Sequence, residues 1–183
     1  SVVPPILRRF ARAQPRVRVS LVCEDSHVVR RELRSGGVDV ALTTELEVGR
    51  GGETLRTDRL VWVGMPGGDA HLRDPLPVSL GAPGCAFRPV AIEALGRLRR
   101  DWRAVLEESR LEPVHAAIEA GLAVAPLLRS SVPARFEVLD GRAARAGRLP
   151  SLPEFRVNLY APSGLSPAAR DLADHVRSSF ALQ

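Results

Sequence analysis

Apolar positions follow two different periods along the chain, and the alternation between those periods is its main structural signal. Behind Pro4-Pro5, the residues Ile6, Leu7, Phe10 and Ala11 share one face at helical spacing, and Pro15 ends the pattern. Val17 to Cys23 then alternates with β-branched content, which predicts a strand. Asp25 or Ser26 is placed to cap a second helix that turns Val29 and Leu33 inward and stops at Gly36-Gly37. The short apolar run Val38 to Leu42, finishing at Thr43-Thr44, reads as a buried strand. Strand, helix and strand in such close succession predict a parallel βαβ unit.

Leu60 to Met65 predicts a further strand, after which Pro66-Gly67-Gly68, Pro75 and Pro77 mark entry into a new region. There Val78-Ser79-Leu80 reads as a strand ending at Gly81 to Gly84, and Ala91, Ile92, Leu95 and Leu98 as a helix. Trp102 to Leu106 fits either period. A helix opening near Pro113 carries Val114, Ala117 and Ile118, and Leu122 to Leu127 predicts a buried strand. Gly141 to Pro150 lacks periodicity and is expected to be a loop. Phe155 to Tyr160 returns to strand, and Ser166-Pro167 opens a last helix with Leu172, Val176 and Phe180 inside. Elements alternating in this way define an α/β chain. The strands around Trp62 and Val157 are the natural crossings between two lobes.

Composition narrows the function classes. With 183 residues, 45% of them hydrophobic, the chain can bury a real core, though aromatics are only 4%. The formal charge is +5 and every basic residue other than histidine is an arginine. Those arginines run from Arg8 to Arg177 among 21 acids, without interleaved aromatics, which favours a solvated surface over a nucleic-acid stripe. Cys23 and Cys85 form neither a disulfide framework nor a zinc pattern, and two free thiols suit a reducing cytoplasm. No secretory run opens the chain and no stretch approaches a membrane span, so a cytoplasmic protein without membrane attachment is expected.

Catalytic signals are weak. His115 lacks a partner at ligand spacing, and His27 falls on an exposed helix face. Glu107 and Glu108 are adjacent and point to opposite sides of a strand. Ser163 to Ser166 lacks the nucleophile-elbow pattern. Cys85 near Arg88 could be an activated thiol, against its reading as a small residue packed at a turn. No metal site and no cofactor are expected.

One ordered set of segments carries a family resemblance. It comprises the proline-opened helix with Phe10 and Pro15, then Gly37-Val38-Asp39-Val40-Ala41-Leu42, Asp58-Arg59-Leu60-Val61-Trp62-Val63-Gly64 and Asp74-Pro75-Leu76-Pro77-Val78. Cys85-Ala86-Phe87-Arg88, Ala120-Gly121-Leu122-Ala123-Val124 and Ser166-Pro167-Ala168-Ala169-Arg170 complete it. Over nearly the whole chain this resembles the effector-binding region of LysR-type transcriptional regulators. The resemblance implies a two-lobed, periplasmic-binding-protein-like (type 2) architecture, two Rossmann-like subdomains joined by two crossover strands. Residues 1–65 and 155–183 would form the first lobe, its first strand lying before Ser1, and 66–154 the second. It further implies a homodimer, a tetramer at full length, and DNA contact only through an N-terminal helix-turn-helix that this sequence lacks.

By the same resemblance, a small-molecule effector binds between lobes, where strand ends converge. Its contacts would be Thr43 and Thr44 at the end of one strand, and Gly84, Cys85, Phe87 and Arg88 in the second lobe. Ser109 and Arg110 lead into the Pro113 helix, and Ser1 stands near the first helix start, where N–H groups favour an anion. Relatives carry small hydroxyl residues before the position of Leu111; here the segment reads Glu107-Glu108-Ser109-Arg110. Two acids beside one arginine admit a cationic or neutral effector, or none, as well as the small organic acid that relatives often bind. The competing readings are a free-standing solute-binding protein, a Cys85-dependent enzyme and a dimerisation module with an empty cleft.

Overall fold

The computed structural model describes residues 3–107 and 110–181. The chain divides into two compact units, one formed by residues 1–57 and 155–183, the other by 58–154. Residues 58–65, grouped by sequence with the first lobe, lie in the second unit.

In the first unit, α1 (Val3–Ala13) opens with both prolines in its first turn, where their missing N–H groups are not needed, and buries Ile6 and Phe10. It lies against α6 (Pro167–Ala181), with Gln14 Nε2 donating to Asp171 Oδ2 at 2.8 Å and Phe10 edge-on to His175. Ser166 Oγ accepts from the Ala169 N–H at 3.2 Å, so the serine caps α6 as its position before Pro167 predicts. Helix α2 (Ser26–Ser35) ends on Gly36 in the left-handed region, and β1 (Ala41–Glu45) follows. β1 pairs antiparallel with β7 (Glu154–Tyr160), Thr43 opposite Asn158 and Glu45 opposite Arg156. β7 in turn lies beside β2 (Gly52–Gly64). Both β2 and β7 carry residues of each unit.

The expected strand Val17–Cys23 does not form: the segment is in no helix or strand, and Val19, Leu21 and Val22 are exposed. Alternation makes a strand only when a neighbour accepts and donates its hydrogen bonds, and no described strand pairs with it. The parallel βαβ unit expected around α2 is therefore absent among the described residues, and β1 finds its partner in the distant β7.

A parallel βαβ unit is found in the second unit instead. There β3 (Leu76–Ser79) leads through α3 (Phe87–Arg97) to β4 (Trp102–Leu106), with Leu76 opposite Trp102. Trp102–Leu106, open to either period, is thus a strand. A parallel bridge joins Val78 to Val124, ahead of β5 (Ala125–Leu128), which pairs with β2 from Leu60 to Val63. Leu122, read as buried strand, is half exposed at the turn after α4 (Leu111–Glu119). β6 (Glu137–Val138) adds to β2, and the expected loop at 141–150 contains a short helix, α5 (Gly141–Ala146). Alanine and arginine favour a helix even without an apolar stripe. Leu60, Trp62, Val63, Leu76, Val78, Leu80, Leu95, Ile118 and Val124 form the core of this unit, all nearly inaccessible. The buried Trp62 Nε1 donates to the Pro150 carbonyl at 3.0 Å.

Candidate functional site

Two groups of sequence-selected residues are placed by the structure, one in each unit. Ser1 and Ser109 lie outside the described residues.

In the first unit, the two threonines at the end of β1 have opposite roles, because neighbouring strand residues face opposite ways. Thr43 is buried, and its hydroxyl donates to Glu45 Oε2 at 2.7 Å. The same oxygen accepts from Asn158 Nδ2 at 3.1 Å and from the Tyr160 hydroxyl at 2.8 Å, while Oε1 accepts from Arg30 at 2.9 Å. Burial alone would raise the Glu45 pKa; hydrogen bonds from Thr43, Tyr160, Arg30 and Asn158 outweigh it and hold the carboxyl below its usual value. Tyr160 moves the other way, raised chiefly by burial and by its bond to Glu45. Thr44 exchanges backbone hydrogen bonds with the Ser26 hydroxyl, each at 3.1 Å, which ties the end of β1 to the start of α2. Its own side-chain hydroxyl has no partner among the described residues, so of the two threonines Thr44 is the one open to a ligand.

In the second unit, Gly81 to Arg88 forms a wound turn between β3 and α3. Gly81 adopts φ +77°, a conformation that favours glycine. The Cys85 N–H donates to Ala82 O at 2.9 Å, and the Arg88 N–H to Cys85 O at 3.2 Å. Phe87 and Arg88 belong to the first turn of α3, which has no side-chain cap and no acid in that turn. Arg88 fixes the turn twice, donating Nη1 to Gly81 O at 3.0 Å and Nη2 to Glu107 Oε1 at 2.5 Å. Glu107 stands just beyond β4, so the pair bridges the carboxyl ends of the two parallel strands. Arg110, at the N-cap of α4, is exposed and engaged with the protein. Sequence reasoning missed Ser79, at the end of β3: it is almost wholly buried, and its hydroxyl has no hydrogen-bond partner among the described residues. Only the strand pattern surrounds it in sequence, and nothing there signals an unpaired hydroxyl.

The remaining candidates find other places. His27 is exposed. His115 packs edge-on to Phe136 and meets Arg135; burial and that arginine lower its pKa. Cys23 is exposed, Cys85 half-buried, and both are free thiols. No group of three histidine, cysteine or acidic residues among the described residues could hold a metal ion, and no described helix is long and apolar enough to cross a membrane. Two cavities in the second unit lie away from the Arg88 turn. One of about 650 Å³ borders Asp74, Arg100 and Trp102, where the buried Arg100 is held by Asp74 and backbone carbonyls. The other, of about 560 Å³, borders Trp62, Leu139 and Pro150.

This fold is shared with sensing domains of known structure. The chain is similar to the regulatory domain of CcmR from Synechocystis PCC6803 in complex with 2-PG, with a TM-score of 0.72 at 19% identity over 96% of this chain and 89% of that one. It is also similar to the effector-binding domain of QuiR in complex with shikimate, with a TM-score of 0.72 at 14% identity over 99% and 91%. The chain belongs to the LysR substrate-binding domain family, whose description matches residues 1–181. A curated relative, the HTH-type transcriptional regulator DgdR of Burkholderia cepacia, is 32% identical over 96% of the chain, which spans 59% of that relative's length. The family is one of effector-binding domains of transcriptional regulators and not an enzyme family.

Proposed function

We infer that this domain captures a small molecule and reports its presence to a DNA-binding part of a cytoplasmic regulator. The two units act as the two lobes, and the candidate contacts are the Thr44 end of β1 in the first unit and the Gly81–Arg88 turn in the second. The carrying observation is the Arg88 turn, a polar, sharply wound segment at the carboxyl end of parallel strands, inside a chain that matches the family from end to end. The unpartnered Thr44 hydroxyl supplies a second polar contact. The CcmR and QuiR domains, in complex with 2-PG and shikimate, support a small polar effector. Capture biases the domain between two states only by the difference in affinity for them, typically about 1–3 kcal/mol of coupling.

A second copy of the chain completes the device. The apolar side chains of Val19, Leu21 and Val22, exposed beside α1 in sequence, favour a homodimer through the first helix and the segment after it. Sedimentation of the wild type should show a dimer, and Leu21→Asp should weaken it; a monomer at all concentrations would contradict the pairing.

The capture itself is tested by calorimetry against a metabolite panel. Thr44→Val should weaken a wild-type hit by about tenfold or more through loss of one polar contact. Arg88→Ala should do the same by releasing the Gly81 turn and the Glu107 carboxylate that the arginine holds. A hit untouched by both changes would remove the site from this place.

A further inference from the structure

Resting on that reading, we propose that the effector carries a positively charged nitrogen, as an amine or an amino acid does, and that Glu107 is the residue that recognises it.

The Arg88 side chain is only 19% exposed and that of Glu107 is 49% exposed. Arg88 is further committed to the Gly81 carbonyl and to one Glu107 oxygen. Its charge is therefore largely covered and paired, while the Glu107 side chain is half exposed and its second carboxylate oxygen has no hydrogen-bond partner among the described residues. The outward charge of the pair is negative. The first turn of α4 adds another acid, exposed Glu112. The cation nearest in sequence, Arg110, is already engaged.

A plain carboxylate arriving here meets a like charge. To reach Arg88 it must also displace Glu107 from a 2.5 Å ion pair. A protonated nitrogen requires neither. A carboxylate accepts several hydrogen bonds at once, so Glu107 can hold Arg88 through one oxygen and an ammonium group through the other. The Arg88–Glu107 pair then becomes a positioning device: the arginine fixes the carboxylate, and the carboxylate reads the ligand.

The test is titration of the full chain, by calorimetry and thermal shift, with four probe sets: L- and D-amino acids, alkyl amines and polyamines, nitrogen-free mono- and dicarboxylates, and neutral polyols. At least one nitrogen-bearing probe is expected to bind. Its affinity should fall with rising pH as the probe loses its proton, near pH ~10 for an alkyl amine. Glu107→Gln should weaken it by about tenfold or more, and Glu107→Asp should restore part of the loss. Whether amino acids or simple amines respond identifies the source of the nitrogen. Binding by nitrogen-free carboxylates, unchanged or tightened in Glu107→Gln, would overturn this inference and leave the sensing role intact. Silence from all four sets would overturn both.

Discussion

Glu45 shows how much of the first unit rests on one side chain. Its carboxylate gathers Arg30, Thr43, Asn158 and Tyr160, and Tyr160 in turn accepts from the Gly49 N–H at 2.8 Å. The folded pKa lies below the usual 4.5, so the stability that Glu45 confers is fully present above that value. It is lost as pH falls through the depressed folded pKa. Glu45→Gln should cost about 1–3 kcal/mol in urea unfolding at neutral pH, and the gap to wild type should narrow below about pH 4. A constant gap would contradict the network. The turn above it is equally constrained. A Cβ on Gly52 would stand 2.5 Å from the Tyr160 ring, and one on Gly49 would press on the Arg30 guanidinium that Glu45 holds. Gly52→Ala should therefore destabilise by about 1–3 kcal/mol, and Gly49→Ala should also destabilise, by displacing Arg30 from Glu45, both read from denaturant midpoints. None of this was legible in sequence. Thr43 and Thr44 stood out together as hydroxyls at a strand end, but which one turns inward depends on register with β7, a partner more than a hundred residues away.

Among the elements, α3 and α5 end alike. Past each helix an arginine takes the left-handed region, Arg99 at φ +49° and Arg148 at φ +51°. The following N–H groups close the ends, Arg100 to Leu95 O and Leu149 to Ala144 O. Glycine is the usual residue at such a position, since a side chain there is strained. Arg99→Gly should therefore raise unfolding stability by roughly 0.5–1 kcal/mol. Arg148→Gly should gain less, because Arg148 also donates to the Leu98 carbonyl at 3.4 Å. Equal effects, or losses at both, would contradict this view of the helix ends. Sequence signals were clear where a local rule acts alone: prolines opening α1, Gly36 closing α2, Ser166 capping α6. They failed where a neighbour decides. Val17–Cys23 alternates but finds no strand to pair with, and α5 forms on backbone propensity without an apolar stripe.

At the scale of the whole molecule, the α/β class was legible because apolar runs follow one another along the chain, each at its own period. The family was legible from the resemblance carried by the ordered segments between Phe10 and Arg170. The chemistry of the site was less so. Cys85 drew attention by position, and the Arg88 that follows it is held by the turn and by Glu107. The central claim, on the proposed reading, is that a small molecule is captured at the Gly81–Arg88 turn and at the Thr44 end of β1. It is tested most directly by backbone amide NMR during titration with a calorimetric hit. The amides of Thr44 and of Cys85 to Arg88 should shift along one common saturation curve. Shifts absent from both of these segments would contradict it.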